Sequence, residues 1–437
     1  MKKLVALFVL STVISFAQNI EPRFKRIDSL LTYLQEKDKF MGGLTIREGE
    51  NIVFSNTYGA IDTDLKLNAN PNTKYKIGSI TKTFTAIMIM QLMEEKKLRP
   101  ETKLTKFFPK IPSAELISIE DLLHHRSGIK DYVNQDSITA KDLAKGDLKK
   151  NIIKKIENYE LDFVPNSQAL YSNSNYFLLG LIIEKLTNES YAENLQKRIV
   201  SKIGLKNTYL PVENANASKN ESLSFHYNGT KWEAMEEWPI DIAFAAGGII
   251  STTDDLTHLI QSLFEGKLIN PSSLEEMKKI KDGYGKGLVQ FPFGERKFYG
   301  HNGKIENFIS MLGYYPKDKL SVSLIVNGNN YNSNDIMIGI LSIYYKIPYP
   351  FPVFVTLDGA SIKAFMGTYT TAEMPLKLTI SQKDGNLFAQ ATGQSAFPLT
   401  PKNENTFVFP AAGIEIIFET NTLTLKQGGQ KFKFTKE

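Results

Sequence analysis

The 437-residue chain contains no cysteine. That excludes disulfide bridges, thiolate metal sites and a cysteine-borne lipid anchor. Histidine is scarce: the five present, His124, His125, His226, His258 and His301, include no His-Glu-x-x-His pair, so a zinc hydrolase is not expected, and no other metal or cofactor is implied. There is no Gly-x-Ser-x-Gly, the sharp turn that presents the serine of an α/β-hydrolase. An excess of one charge is missing too. The formal balance of +5 is too small over this length for a nucleic-acid surface. The basic stretch 145–155 is interleaved with Ile152, Ile153 and Ile156 at helical spacing, as on a solvated amphipathic face. No internal repeat or low-complexity tract interrupts the chain.

The apolar run 4–16 follows Met1-Lys2-Lys3 and is too short to span a bilayer as a stable helix. Ser15-Phe16-Ala17 supplies a small-x-small cleavage site, so residues 1–17 read as a secretory signal. The expected mature chain starts near Gln18, carries a formal charge of +3 once Lys2 and Lys3 are gone, has no transmembrane anchor and is secreted or periplasmic.

What is present is a 42% hydrophobic composition, enough for a large core and two domains. Helices are expected at 23–37, 141–159, 175–186, 191–200, 254–264 and 335–345, with a short one after Ser118 that ends before Gly128. Strands are expected at 42–47 and 51–58, joined by Glu48-Gly49-Glu50, and at 287–291, 297–300, 308–315 and 320–327. Pro348, Pro350 and Pro352 mark a boundary between 18–348 and 349–437. Beyond it, alternating segments at 376–380, 387–391, 406–409, 414–418, 423–425 and 431–434 predict a small antiparallel sheet or barrel.

The chain is organised around residues 75–93. A short strand, a glycine turn and a helix place Ser79 in the helix's first turn, among unpaired backbone N–H groups. Lys82, three residues on, shares its face and is placed to act on the hydroxyl, a poor nucleophile until a base takes its proton. The apolar surroundings predict a buried, rigid helix. Ser127 and Lys130 repeat the spacing, but Gly128 between them argues against a helix there. A second candidate group is Tyr171-Ser172-Asn173: the phenol would relay the proton, as phenolate if Lys82's charge favours it, and Asn173 would hold a substrate amide. Tyr132-Val133-Asn134 shows how readily Tyr-x-Asn recurs. The third group is His301-Asn302-Gly303, on a strand running to a turn, where glycine admits a substrate backbone and His301 offers a donor or charge.

Ser79-x-x-Lys82, Tyr171-x-Asn173 and His301-x-Gly303, in that order, resemble the serine β-lactamase and penicillin-binding-protein superfamily in its class C branch. Residues 122–129 and 246–252 resemble that branch's Leu-Leu-x-His-x-Ser-Gly-Ile and Gly-Gly-hydrophobic-x-Ser-Thr segments, and the likeness spans about residues 25–345. The resemblance implies an α+β fold: an antiparallel sheet flanked by helices, a helical region, and then the small β-barrel domain that some members append. It implies Ser79 as acylated nucleophile, Lys82 and Tyr171 sharing its proton, Asn173, His301 and Gly303 binding substrate, and an oxyanion hole of the Ser79 and Lys304 backbone N–H groups. His-x-Gly in place of Lys-Thr-Gly resembles DD-carboxypeptidases, D-aminopeptidases and esterases rather than β-lactamases. Where relatives have Gly-Phe after this motif, Asn307 precedes Phe308. The expected substrates are D-amino-acid peptides, small amides or esters, with β-lactams as mimics. The rival is a non-catalytic binder of cell-wall peptides.

Overall fold

The computed structural model describes residues 21–133, 147–354, 359–373, 375–383 and 386–437. The expected secretory signal and the first part of the helix expected at 141–159 lie outside them. The described chain separates into two compact units, Met1–Pro348 and Tyr349–Glu437.

The first unit is built on six long antiparallel strands: β1 (Phe40–Glu48), β2 (Asn51–Tyr58), β3 (Val289–Phe293), β4 (Arg296–Ile305), β5 (Phe308–Tyr315) and β6 (Leu320–Asn329). They lie in the order β2-β1-β6-β5-β4-β3, with the short hairpin Phe225–Tyr227 and Trp232–Ala234 added beside β6. The helices that matter for the site are α1 (Pro22–Glu36), α2 (Thr81–Glu94), α3 (Asn173–Thr187), α4 (Ile240–Gly247), α5 (Thr253–Phe264) and α6 (Ser333–Tyr344). Strand alternation sorts them onto the two faces. Thr45 of β1 meets α5, its Oγ1 2.7 Å from that of Thr253. Ile46, paired with Phe54, points to the other face, where the Phe54 ring stacks on Phe24 of α1.

The helical region packs around α2, whose residues Thr81 to Leu92 are all buried. An apolar helix tolerates buried hydroxyls only when they are bonded. Thr83 donates to the Gly287 carbonyl (2.8 Å), Thr85 to that of Ala245 (2.7 Å), and Thr81 Oγ1 accepts from the Ile249 N–H (3.1 Å).

Near the site, two elements differ from expectation. β4 does not turn at Gly303 but stays paired with β5 to Ile305 and Phe308, the turn coming at Glu306 (φ 52°). The sequence pattern also concealed α4, which is apolar but for Asp241 in its first turn and breaks at Phe244 (φ 35°, ψ −130°). It fits because Gly180 of α3 leaves room: a Cβ there would lie 2.2 Å from that of Ala245.

The second unit is a closed barrel of eight antiparallel strands, from Gly367–Thr370 to Gln430–Lys436. Alternate residues such as Ile414, Ile416 and Phe418 point inward with Tyr369, Phe407 and Phe434. Closure removes the exposed edges that such short strands would otherwise present. The strands Gly367–Thr370 and Phe397–Pro401 escaped the sequence pattern, the first being four residues long and the second carrying Pro398 and Pro401.

Candidate active site

The site begins with a tight backbone crossing. Tyr75–Lys76 pairs with Ile250–Ser251, Gly78 takes φ 51°, and the single turn Gly78–Ile80 leads into α2. β3 pairs with β4 only as far as Gly300, so the next residues of β4 are free to face this turn. The approach tolerates no side chain. A Cβ on Gly303 would lie 2.1 Å from the Ile77 carbonyl oxygen and 3.0 Å from the Ser79 nitrogen, and one on Gly78 2.7 Å from the Lys304 nitrogen. Gly303→Ala is therefore expected to push β4 off the turn, with an overpacking cost of about 1–3 kcal/mol and a kcat/KM at least about tenfold lower. Thermal unfolding and steady-state kinetics of the variant check this, and near-wild-type values in both would mean that the crossing is not held by this contact.

Ser79, half-buried at the start of the turn, lies 3.0 Å from Lys82 Nζ and accepts from Tyr171 O–H at 2.6 Å. Lys82 also donates to Asn173 Oδ1 (2.8 Å) and to the Ala246 carbonyl (2.7 Å). Asn173 Nδ2 donates toward both carboxylate oxygens of Asp131 (3.2 and 2.9 Å). Both ends of Asn173 are thus engaged within the protein, and a substrate amide would have to share them.

Burial governs protonation here. It lowers the Lys82 pKa from 10.5 to about 7, with the Asp131 carboxylate opposing. It also raises Tyr171 above its usual value, the bond to Ser79 pulling the other way. Each shift favours the uncharged form, so above about pH 7 the pair is a phenol and a neutral amine, and the phenolate that a charged Lys82 would favour is disfavoured. Burial, with Lys82 nearby, lowers His301 to about 4, and its Nδ1 bonds the Asn302 carbonyl at 2.6 Å. At neutral pH it offers a neutral ring, not a charge.

Ser79, Tyr171, Asn173, Ala246 and Lys304 open onto a cavity of about 390 Å³ walled by Tyr132, Val133, Trp238, Ala243, Ile305 and Glu306. A buried lysine beside a serine, with a phenol and an asparagine closing the ring, joins the first two of the sequence groups. The family model described as Beta-lactamase matches residues 27–340. This chain belongs to the Beta-lactamase family. It is a serine hydrolase of that family.

Among relatives, the teichoic acid D-alanine hydrolase of Staphylococcus aureus is 28% identical over 318 residues, covering 71% of this chain and 75% of that protein. Among solved structures, the octameric penicillin-binding protein homologue from Pyrococcus abyssi aligns over 94% of this chain and 99% of its own, at a TM-score of 0.71 and 23% identity. The D-amino acid amidase from Ochrobactrum anthropi SV3, complexed with L-phenylalanine amide, aligns over 74% and 99%, at 0.66 and 23%. At those identities the two structures establish the fold.

Within this β-lactamase-family site the predicted residues do not all stand alike. Ser79, Lys82, Tyr171 and Asn173 form one hydrogen-bonded group, Gly303 and Lys304 adjoin it through backbone, and His301 is buried at its side. The rival Ser127 is structural, donating to Asn175 at 2.6 Å. Sequence reasoning missed Asp131 and His125. The His125 ring stacks on Tyr171 at 4.5 Å and its Nδ1 accepts the Ser172 N–H at 3.1 Å, which fixes where the phenol stands. Both lie within or just after the segment 122–129, whose likeness to the family was the available signal. Trp238 and Glu306 carried none.

Proposed function

We propose that this enzyme hydrolyses D-aminoacyl compounds, D-alanyl esters and amides first among them, through an acyl-enzyme on Ser79. The observation that carries the reading is the set of partners around Lys82. A neutral amine has two N–H donors and one lone pair. Asn173 Oδ1 and the Ala246 carbonyl take the donors, which leaves the lone pair for the Ser79 hydroxyl. Ser79 Oγ attacks the acyl carbon as its proton passes to Lys82, and the new oxyanion sits against the Ser79 and Lys304 N–H groups, a contribution of about 3 kcal/mol per donor. Tyr171 O–H protonates the leaving oxygen or nitrogen, and the Lys82 ammonium makes good that proton. Water then repeats the sequence in reverse roles and frees the acid.

The D-alanyl substrate class is supported by the relative that removes D-alanine from teichoic acid and by the fold shared with a D-amino acid amidase. D-amino-acid peptides belong to the same class, and β-lactams are its mimics. An exported enzyme fits such cell-envelope substrates, and among the described residues no helix is long and apolar enough to cross a membrane.

The test is intact mass over time with D-alanine methyl ester, D-alaninamide and a penicillin. A transient D-alanyl adduct with release of D-alanine is expected, beside a slower penicillin adduct. Turnover of penicillin alone would make it a β-lactamase, and neither adduct nor product with any of the three would overturn the D-aminoacyl reading.

A further inference from the structure

Beyond the oxyanion turn, two carboxylates are paired with one lysine at the cavity wall. Glu306 follows β4 directly, two residues after Lys304, and shares the cavity with Ser79. Its side chain is only 1% exposed. Oε1 accepts from Lys76 Nζ at 2.6 Å and from the Trp238 N–H at 2.8 Å. Oε2 has no hydrogen-bond partner among the described residues. Lys76 is itself divided, since it pairs with Glu237 at 2.8 Å, and the Lys76 and Glu237 side chains are 8% and 11% exposed. Two carboxylates therefore share one ammonium in a place with little water.

A buried carboxylate oxygen without a donor is costly, and a charge left uncompensated there more so. Burial holds the Glu306 carboxyl above its usual range, with Lys76 opposing and Glu237 adding to it. A cation entering from the cavity would supply both the missing donor and the missing charge. D-Aminoacyl substrates carry one, an α-ammonium a single carbon from the carbonyl that Ser79 attacks.

We propose that Glu306 is a substrate-recognition residue that receives the α-ammonium group of the acyl moiety, so that the enzyme selects acyl groups with a free amine over their N-acylated counterparts. This rests on the acyl-enzyme reading given above. Glu306 takes no part in the bond changes. It holds the substrate by its positive end while the ester or amide lies against Ser79 and Lys304.

The experiment compares D-alanine p-nitrophenyl ester with its N-acetyl derivative, in wild type and in Glu306→Gln, which keeps an oxygen for the Trp238 N–H. Wild type is expected to favour the free amine, and the variant to lose at least about tenfold of that preference, carried mainly by KM. An unchanged ratio in the variant overturns the proposal, as does a wild type that favours the N-acetyl ester. Should the variant fold poorly, wild type alone decides: D-alaninamide should compete with p-nitrophenyl acetate hydrolysis more tightly than N-acetyl-D-alaninamide, and equal competition refutes the role of Glu306. If neither D-alanyl ester is hydrolysed while p-nitrophenyl acetate is, it is the substrate class that fails.

Discussion

Ser79→Ala is expected to lower kcat by about 10⁵-fold or more while leaving the fold in place. Removing a nucleophile takes away the bond on which every later step depends, so its loss costs nearly as much as loss of the whole group that activates it. The structural cost is small. The hydroxyl is half-buried, and its absence leaves Lys82 two of its three hydrogen-bond partners and Tyr171 its stacking on His125. Circular dichroism and thermal unfolding should match wild type, while the D-alanyl and penicillin adducts disappear. A variant that still forms the adduct would remove Ser79 from the mechanism.

The second large effect concerns Lys82. If its neutral form is the base, acylation should rise about tenfold per pH unit below about 7 and level off above it, and Lys82→Met should lose about 10³-fold of the rate at pH 8. The same group leaves a signature in stability. Its folded pKa of about 7 lies below the ordinary 10.5, so between these values the unfolded chain binds more protons. The destabilisation due to Lys82 is thus complete below about pH 7 and vanishes as pH rises through 10.5. Relative to Lys82→Met, wild type should gain about 1.4 kcal/mol per unit across that window, about 5 kcal/mol in all. Denaturant unfolding of both proteins at pH 7, 8 and 9 measures it, and a flat difference would mean that the amine is charged in the folded state.

The parts of this site legible in the sequence are those that act through local chain geometry. Ser79 and Lys82 are three residues apart on one helix face, and no distant element is needed to bring them together. Tyr171-x-Asn173 and His301-x-Gly303 could be tied to them only by family likeness, because each comes from a different element and their meeting depends on how α2, α3 and β4 pack. Protonation was hidden for the same reason. A sequence carries ordinary pKa values, while the lowered value of Lys82 and the raised one of Tyr171 are products of burial. The wall of the cavity was least visible of all: Trp238 and Glu306 meet across 68 positions through one backbone bond. Asn307 shows the opposite case. It departs from the family's glycine and finds its reason in the fold, donating to the Phe225 carbonyl and so tying the β4–β5 turn to the added hairpin.

The crossing of Gly78 and Gly303 divides labour within the enzyme. Where two backbones touch with no side chain between them, nothing is left to vary, and the floor on which acyl chemistry occurs is the same for every substrate. Four of the cavity's other wall residues, Tyr132, Val133, Trp238 and Glu306, are carried on connecting segments, while Ala243 belongs to α4 and Ile305 to β4. A new substrate range is therefore to be reached by exchanging the rim, with the chemistry beneath it left untouched.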